Sequence, residues 1–299
     1  MPETTTGSAC EQFLEGIEEL PALPQVALRA LHMVRSPETS ARDIERVISG
    51  DQALAGKVLR VSNSAFYGLP RTVTSVREAV VLLGCRRISA LIMGIATGGL
   101  MGATLGDDQL IRVRRWRHAL MSACCARALA ASTGIMDQDE AFTLGLLHDI
   151  GKLILDDRGG EDYVAAVGAA EDGGLLVVAM EEFVLGFNHA DLGGTLVTRW
   201  GLSSDVVGAV LHHHAPLKAP PDVARSAAVA HLADGMAHAL RITVTPEGRV
   251  YAPAEDMVVP LHVDPAVLSA WGVEEAGLRP LAEEAGRHAS EQEAFFRNL

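Results

Sequence analysis

The sequence predicts a mostly α-helical fold built as a two-lobed bundle, and three observations predict it. Hydrophobic residues fill 48% of the 299 positions while aromatic residues supply only 4%, a balance tilted toward Ala, Leu and Val that favours helix over sheet. Apolar side chains recur at three- and four-residue spacing along most of the chain. The periodic stretches are separated by Gly, Pro and Asp breaks, and the break at Gly106-Asp107-Asp108 divides an expected first lobe, residues 1–107, from a second, residues 108–299.

In the first lobe, Pro37-Glu38-Thr39-Ser40 supplies a turn and a helix cap ahead of Ile44, Val47 and Ile48. Leu54, Val58 and Val61 continue the apolar stripe, and Val76, Ala79, Val80 and Leu83 repeat it until Gly84 stops the helix. Residues 88–105 carry no charge and approach the length of a membrane span. Gly94, Gly98, Gly99 and Gly102 interrupt them and no aromatic belt flanks them, so a buried core helix is expected and no membrane span.

In the second lobe, helices are expected from about Arg112 to Ala131 and from Asp139 to His148. The turn-rich Asp156-Asp157-Arg158-Gly159-Gly160 then precedes an Ala/Val-rich helix. His189, Leu192, Leu196 and Trp200 share one helical face, and Ser203 or Ser204 caps a helix carrying Val206, Val207, Val210, Leu211 and His214. Pro216, Pro220 and Pro221 close that helix and open another that runs to about Leu240. Within 241–259, Ile242 and Val244 alternate with threonines before Pro246-Glu247-Gly248, the pattern of a small β-hairpin. The tail from Glu274 reads as an acidic amphipathic helix packed on the body.

Composition also excludes function classes. A net charge of −13 repels phosphate backbones and argues against general nucleic-acid binding. Cys10, Cys85, Cys124 and Cys125 form no CxxC pair and read as reduced thiols. With no signal-peptide pattern at the N-terminus, a cytoplasmic location is expected.

The chemistry concentrates in the second half. His148-Asp149 ends an apolar helical run and is followed by Ile150-Gly151-Lys152, with His118 on the preceding helix and Asp234 on a later one. Imidazoles and carboxylates from separate helices are what a divalent metal in a helical bundle requires. Asp149 is suited to bridge two ions, and His189, His213 and His214 could extend the site to a pair that clamps a phosphate. One or two ions are expected, with iron or manganese favoured over zinc by the mixed nitrogen and oxygen donors. The competing reading treats each histidine as a hydrogen-bonded core residue and His212 to His214 as a helix end; His32, His231, His238, His262 and His288 are left in that class. Arg112, Arg114, Arg115 and Arg117 precede His118 as either a solvated basic face or a phosphate clamp.

These residues resemble a known family. Leu20-Pro21-Ala22-Leu23-Pro24-Gln25-Val26, Asp51-Gln52-Ala53-Leu54, Lys57-Val58-Leu59-Arg60-Val61-Ser62-Asn63-Ser64-Ala65-Phe66-Tyr67 and Ser75-Val76-Arg77-Glu78-Ala79 are similar to the opening half of HDOD domains, a bacterial signalling branch of the HD superfamily. Trp116-Arg117-His118, Leu146-Leu147-His148-Asp149-Ile150-Gly151-Lys152, His189-Ala190-Asp191-Leu192-Gly193 and His214-Ala215-Pro216 resemble its HD-like half, so that the likeness spans roughly residues 12–240. The resemblance implies an all-helical core with an HD-like C-terminal lobe, a regulatory role in signal transduction with a protein partner, and lost or reduced hydrolase activity. It implies His118, His148, Asp149 and Asp234 as the basic metal ligands, and His189, His213 and His214 as the extra ligands of the related HD-GYP phosphodiesterases.

Two departures separate the chain from the catalytic members. Arg114 stands where trinuclear HD-GYP members place a glutamate ligand, and Ala215-Pro216 follows the histidine pair without an acidic residue or a Gly-Tyr-Pro segment. A non-catalytic regulator is therefore expected. The alternative is a metal-dependent phosphohydrolase acting on a nucleotide or phosphodiester, with Asp149 and Lys152 catalytic and Arg117 binding the phosphate.

Overall fold

Ser40 shows how an expected helix start becomes structure. Its backbone is extended, its Oγ accepts the Asp43 N–H, and the Asp43 carboxylate takes the Ser40 N–H in return, so two otherwise orphaned donors are satisfied together. The computed structural model describes residues 3–17, 22–34, 36, 38–64, 67–102, 109–173, 177–240, 261 and 263–296. The expected lobe junction at Gly106-Asp107-Asp108 and the expected hairpin at 241–259 lie outside the described residues.

The first half supplies α1 (Glu3–Glu15), α2 (Gln25–Val34), α3 (Ala41–Ser49), α4 (Gln52–Ser62), α5 (Val76–Leu83) and α6 (Cys85–Gly102). Ser75 and Asp51 cap α5 and α4 through side-chain bonds to Glu78 and Leu54 N–H groups. Asn63, in the stretch quoted above, clasps the chain ten residues on: its Oδ1 accepts the Val73 N–H at 2.7 Å and its Nδ2 donates to the Val73 carbonyl at 2.9 Å. Helix α6 is the centre of this half, packed by α2, α4 and α5. Ile88, Leu91, Ile92 and Met93 are buried along it. Among the described residues no single helix is long and apolar enough to cross a membrane.

The second half continues with α7 (Gln109–Thr133), α8 (Gln138–Leu147), α9 (Ile150–Arg158), α10 (Gly160–Gly173), α11 (Val177–Leu185), α12 (His189–Arg199), α13 (Ser204–His212), a 3-10 turn (Pro216–Lys218), α14 (Ala224–Ala239), α15 (Pro265–Trp271) and α16 (Glu275–Phe296). No strand occurs among the described residues. The 25-residue α7 is the spine, with α6, α8, α9, α14 and α16 packed around it. Its approach to α8 depends on Gly145, where a Cβ would stand 2.5 Å from the Ser122 carbonyl oxygen; only a glycine lets the two backbones pass so closely.

One cluster of buried apolar side chains runs through both halves, from Ile44 and Ile92 to Leu146, Leu192 and Leu232. Polar contacts cross between them as well. Arg199 pairs with Glu11, the His32 ring nitrogen meets the Gly201 carbonyl at 2.8 Å, and Phe13 meets the edge of Phe187 at 5.3 Å between ring centres.

Candidate metal centre

Four helix ends and two helix faces deliver the polar residues. His148 is the C-cap of α8 and Asp149 the residue that begins α9, so the His-Asp pair sits at a break between two buried helices. Asp149 makes no capping bond there, which leaves its carboxylate available. His189 opens α12 behind the Asn188 cap, whose amide oxygen holds the Ala190 and Asp191 N–H groups. His213 caps α13 and His214 follows it. His118 comes from the middle of α7 and Asp234 from α14. The α9–α12 approach is the tightest in the site: a Cβ on Gly151 would lie 2.0 Å from the His189 carbonyl oxygen.

The ligand atoms meet on the two oxygens of Asp149. Oδ1 lies 3.1 Å from His189 Nε2 and 3.6 Å from His213 Nε2, and His214 Nε2 is 2.9 Å from that of His189. Oδ2 lies 3.5 Å from both His118 Nε2 and His148 Nε2. Asp234 Oδ1 completes this second side at 2.9 Å from His118 Nε2 and 3.5 Å from His148 Nε2. Within each of the groups Asp149/His189/His213/His214, His118/His148/Asp149 and His118/Asp234/His238, the donor atoms all lie within 4.8 Å of one another. All seven ligands expected from the sequence are thus brought to one place.

The protonation pattern shows what the cluster fits. His148 Nδ1 donates to the Gly145 carbonyl and His213 Nδ1 to the Val210 carbonyl, each at 2.8 Å, while His189 Nδ1 donates to the Glu181 carboxylate at 2.6 Å. A carbonyl or carboxylate oxygen only accepts, so each ring carries its proton on the outer nitrogen and turns the Nε2 lone pair inward. Those lone pairs face Asp149 Oδ1 and Asp234 Oδ1, two buried oxygens that accept no well-aligned hydrogen bond. Imidazole nitrogens and carboxylate oxygens aimed at one another across 2.9–3.6 Å suit a divalent cation, and Asp149, one oxygen on each side, suits a bridge between two.

The ionisation of the metal-free groups points the same way. Burial works against the charge of Asp149 and Asp234, yet Lys152 and His148 on the first, and His238 and His118 on the second, hold both carboxyls well below their ordinary range. Burial pushes His118 and His213 down to about 4, against the pull of the carboxylates they face. His148 is buried too, but Asp149 and Asp234 outweigh that and raise it. Without a metal, protons stand in for part of the missing positive charge.

Lys152 lies one turn along α9 with Nζ 2.6 Å from Asp149 Oδ2. Arg117 is buried, 1% exposed, and makes its contacts inside the protein. The other arginines of that run do not form the free basic face or clamp that the sequence suggested. Arg112 pairs with Asp157, and Arg115 makes a two-pronged contact with Asp156 at 3.1 and 3.2 Å; both tie α7 to the end of α9, while Arg114 is exposed.

Two participants escaped the sequence reading. His238, set aside as bland, lies one turn beyond Asp234 with Nε2 3.3 Å from Asp234 Oδ1; the i,i+4 spacing was its signal. Glu181 is fully buried and takes both the backbone N–H and the Nδ1–H of His189, at 2.9 and 2.6 Å, while Tyr163 donates to its other oxygen at 3.3 Å. Burial would discourage its charge, but the His189 bonds outweigh it and keep the carboxyl below its ordinary range. Nothing in the Met180-Glu181-Glu182 run distinguishes it from a surface acid.

Among the described residues, a helical bundle gathering a His-Asp break and four further histidines around a shared aspartate defines a helical His/Asp-cluster protein. A family model described as the HDOD domain matches residues 20–216, and the chain belongs to that family. The fold is that of a solved HDOD domain protein of unknown function from Geobacter sulfurreducens: TM-score 0.78, 24% identity, 98% of both chains covered. A protein of Shewanella amazonensis provisionally named a phosphohydrolase aligns at TM-score 0.71 and 24% identity over 96% of this chain and 97% of that one. One of Marinobacter aquaeolei, provisionally named a signal transduction protein, aligns at TM-score 0.71 and 22% identity over 97% and 66%. An uncharacterized protein of Treponema pallidum is 26% identical over 223 residues, 74% of this chain; the chain spans 42% of that relative's length.

Proposed function

We propose that this chain is a cytoplasmic signal-transduction regulator whose second lobe, residues 108–299, binds a divalent metal without appreciable turnover and whose output passes to a protein partner. The observation that carries the reading is a contrast inside the site. The ligand set gathers in overlapping groups around Asp149 and Asp234, while Arg117, the side chain nominated to hold a phosphate, is 1% exposed, and Arg112 and Arg115 beside it are engaged by Asp157 and Asp156. Metal-binding groups whose neighbouring arginines Arg112 and Arg115 are spent on internal ion pairs suit a structural or sensing metal better than a hydrolytic one.

On this reading His118, His148, Asp149 and Asp234 hold one ion, and Asp149, His189, His213 and His214 hold a second. The metal, when bound, supplies positive charge that neutralises the two carboxylates and polarises a bound oxygen. Nitrogen and oxygen donors with no thiolate favour iron or manganese over zinc. Lys152 holds one oxygen of Asp149 and Glu181 fixes the ring of His189.

A second reading has its own observation. His214 is exposed and the His238 side chain is 53% exposed, so the cluster is open to solvent on both sides of Asp149. A metal-dependent phosphohydrolase would admit a phosphodiester or nucleotide there, with Lys152 and Arg117 countering phosphate charge.

Elemental analysis of the purified chain, paired with a generic phosphodiester assay of the wild type and His148→Ala, separates the readings. The regulator predicts bound iron or manganese, reduced in His148→Ala by the ion on the Oδ2 side, with no metal-dependent turnover in either. Turnover abolished by His148→Ala establishes the phosphohydrolase, and wild-type protein without metal above trace removes both.

A further inference from the structure

Helix α11 buries a carboxylate and leaves its aromatic side chain in solvent. Its sequence, Val177-Val178-Ala179-Met180-Glu181-Glu182-Phe183-Val184-Leu185, is apolar at seven of nine positions, and its one fully buried residue is Glu181. Phe183 is 86% exposed, with Ala179 one turn before it also exposed. The neighbouring α10 buries Val167 in the core and also carries exposed aliphatic side chains. It buries Tyr163, the other partner of Glu181, and turns Val164, 51% exposed, together with Ala165 and Gly168, to solvent. A helix pair that buries a carboxylate and exposes aromatic and aliphatic side chains spends apolar surface where the isolated chain gains nothing from it.

The rim of this face says what covers it. Its exposed charged neighbours include Glu182 and Asp162, on a chain of net charge −13. Two copies meeting here would bring these carboxylates together in an isologous contact. A segment with basic flanks meets opposite charge and steers in with it.

The inner side of the same helix says what the contact does. Glu181 holds His189 through two N–H groups, and His189 Nε2 lies 3.1 Å from Asp149 Oδ1. We infer that the outer face of the α10–α11 pair is a docking surface for an amphipathic helical segment of another protein, apolar where it meets Phe183 and Val164 and basic at its flanks, and that its occupancy is coupled to the His/Asp cluster through Glu181. This names a partner class for the regulatory reading above and rests on it. Coupling of this kind is reciprocal: whatever factor the docked segment changes in metal affinity, the metal changes in affinity for the segment.

The test uses the full chain and two synthetic amphipathic peptides of one length, one of Leu and Lys, the other of Leu and Glu. Binding is read by fluorescence anisotropy, and manganese(II) affinity by isothermal titration with and without peptide. The Leu/Lys peptide is expected to bind and the Leu/Glu peptide to fail. Phe183→Asp and Phe183→Ser should each weaken binding at least about tenfold, the loss expected of a central aromatic anchor. The aspartate variant is decisive because its added negative charge would strengthen a purely electrostatic association. In the wild type the peptide should shift manganese affinity severalfold, and Glu181→Gln should abolish that shift while still binding peptide.

Equal binding by wild type and both Phe183 variants overturns the docking surface. So does a concentration-dependent dimer, seen by sedimentation, that Phe183→Ser dissolves. Peptide binding that leaves manganese affinity unchanged overturns the coupling. Phosphodiester turnover by a chain that docks the peptide as expected overturns the regulatory reading alone.

Discussion

The two sides of Asp149 are built from the same residue types and behave differently. On the Oδ1 side, His189 and His213 are fully buried and each has its ring fixed by an Nδ1–H that donates, to Glu181 and to the Val210 carbonyl. On the Oδ2 side, only His148 is held in that way; His118 and His238 crowd Asp234 at the edge of the bundle, their ring centres 4.7 Å apart, and Lys152 occupies the shared oxygen. One side is pre-organised by second partners, the other is adjustable and partly compensated by protons and a lysine. A metal bound on the first side finds its ligands already oriented; one bound on the second must displace charge already there. The Oδ1 side is accordingly expected to be the tighter site.

The largest change should come from Asp149→Ala, which removes the group common to both sides. Loss of both ions is expected, read as metal per chain by elemental analysis, whereas His213→Ala and His118→Ala should each cost one side and leave the other loaded. If Asp149→Ala retains a full metal complement, the shared-bridge geometry is wrong and the two sides are independent.

Next in size is Gly151→Ala. The added methyl would stand 2.0 Å from the His189 carbonyl oxygen and 2.8 Å from the Gly193 nitrogen, backbone atoms that cannot swing away as a side-chain tip could. Destabilisation of about 2–4 kcal/mol is expected from the forced separation of α9 and α12, measured by denaturant unfolding of the metal-free chain. The Oδ1 side should lose metal affinity with it, because His189 rides on α12. Equal weakening of both sides would show that the comparison drawn above is one of labels only.

Much of this was legible in the sequence, for reasons that differ residue by residue. Ser40, Ser75 and Ser203 announce helix starts because a capping hydroxyl acts on its own next turn. His118, His148, Asp149 and Asp234 could be nominated because acids and imidazoles on apolar helices are costly unless something compensates them. What escaped depends on tertiary direction. Glu181 looks like any surface glutamate until α11 is seen to turn it inward and Phe183 outward. Arg112 and Arg115 look like a free basic face until α9 brings Asp156 and Asp157 against them. His238 shares its helix with Asp234, but only the orientation of α14 decides whether that face is buried. Local patterning reaches one turn along the chain; these contacts join positions that local patterning does not connect.

The smallest effect is also the sharpest contrast, because its sign differs between the two sides. In the metal-free chain burial pushes His213 down to about 4, so between pH 6.5 and 4 the unfolded state takes up a proton that the folded state refuses. Its contribution is fully present above 6.5 and is lost as pH falls through that window. His213→Gln should therefore flatten the fall in stability toward acid, by up to about 1.4 kcal/mol per pH unit. On the other side the Asp234 carboxylate raises His238. The folded state then binds the proton more tightly, and that contribution is present below 6.5 and lost as pH rises through the raised value. His238→Gln should remove that loss, so that above pH 6.5 its stability no longer declines as pH rises through the raised value, and the effect is smaller because the side chain is 53% exposed and solvent screens the pair. Urea unfolding of both variants in chelator, at half-unit steps from pH 4 to 9, reads the His213 slope below 6.5 and the His238 slope above it. If both variants change the slope only below 6.5, the two sides share one electrostatic environment, and the pre-organised and adjustable halves are not distinct.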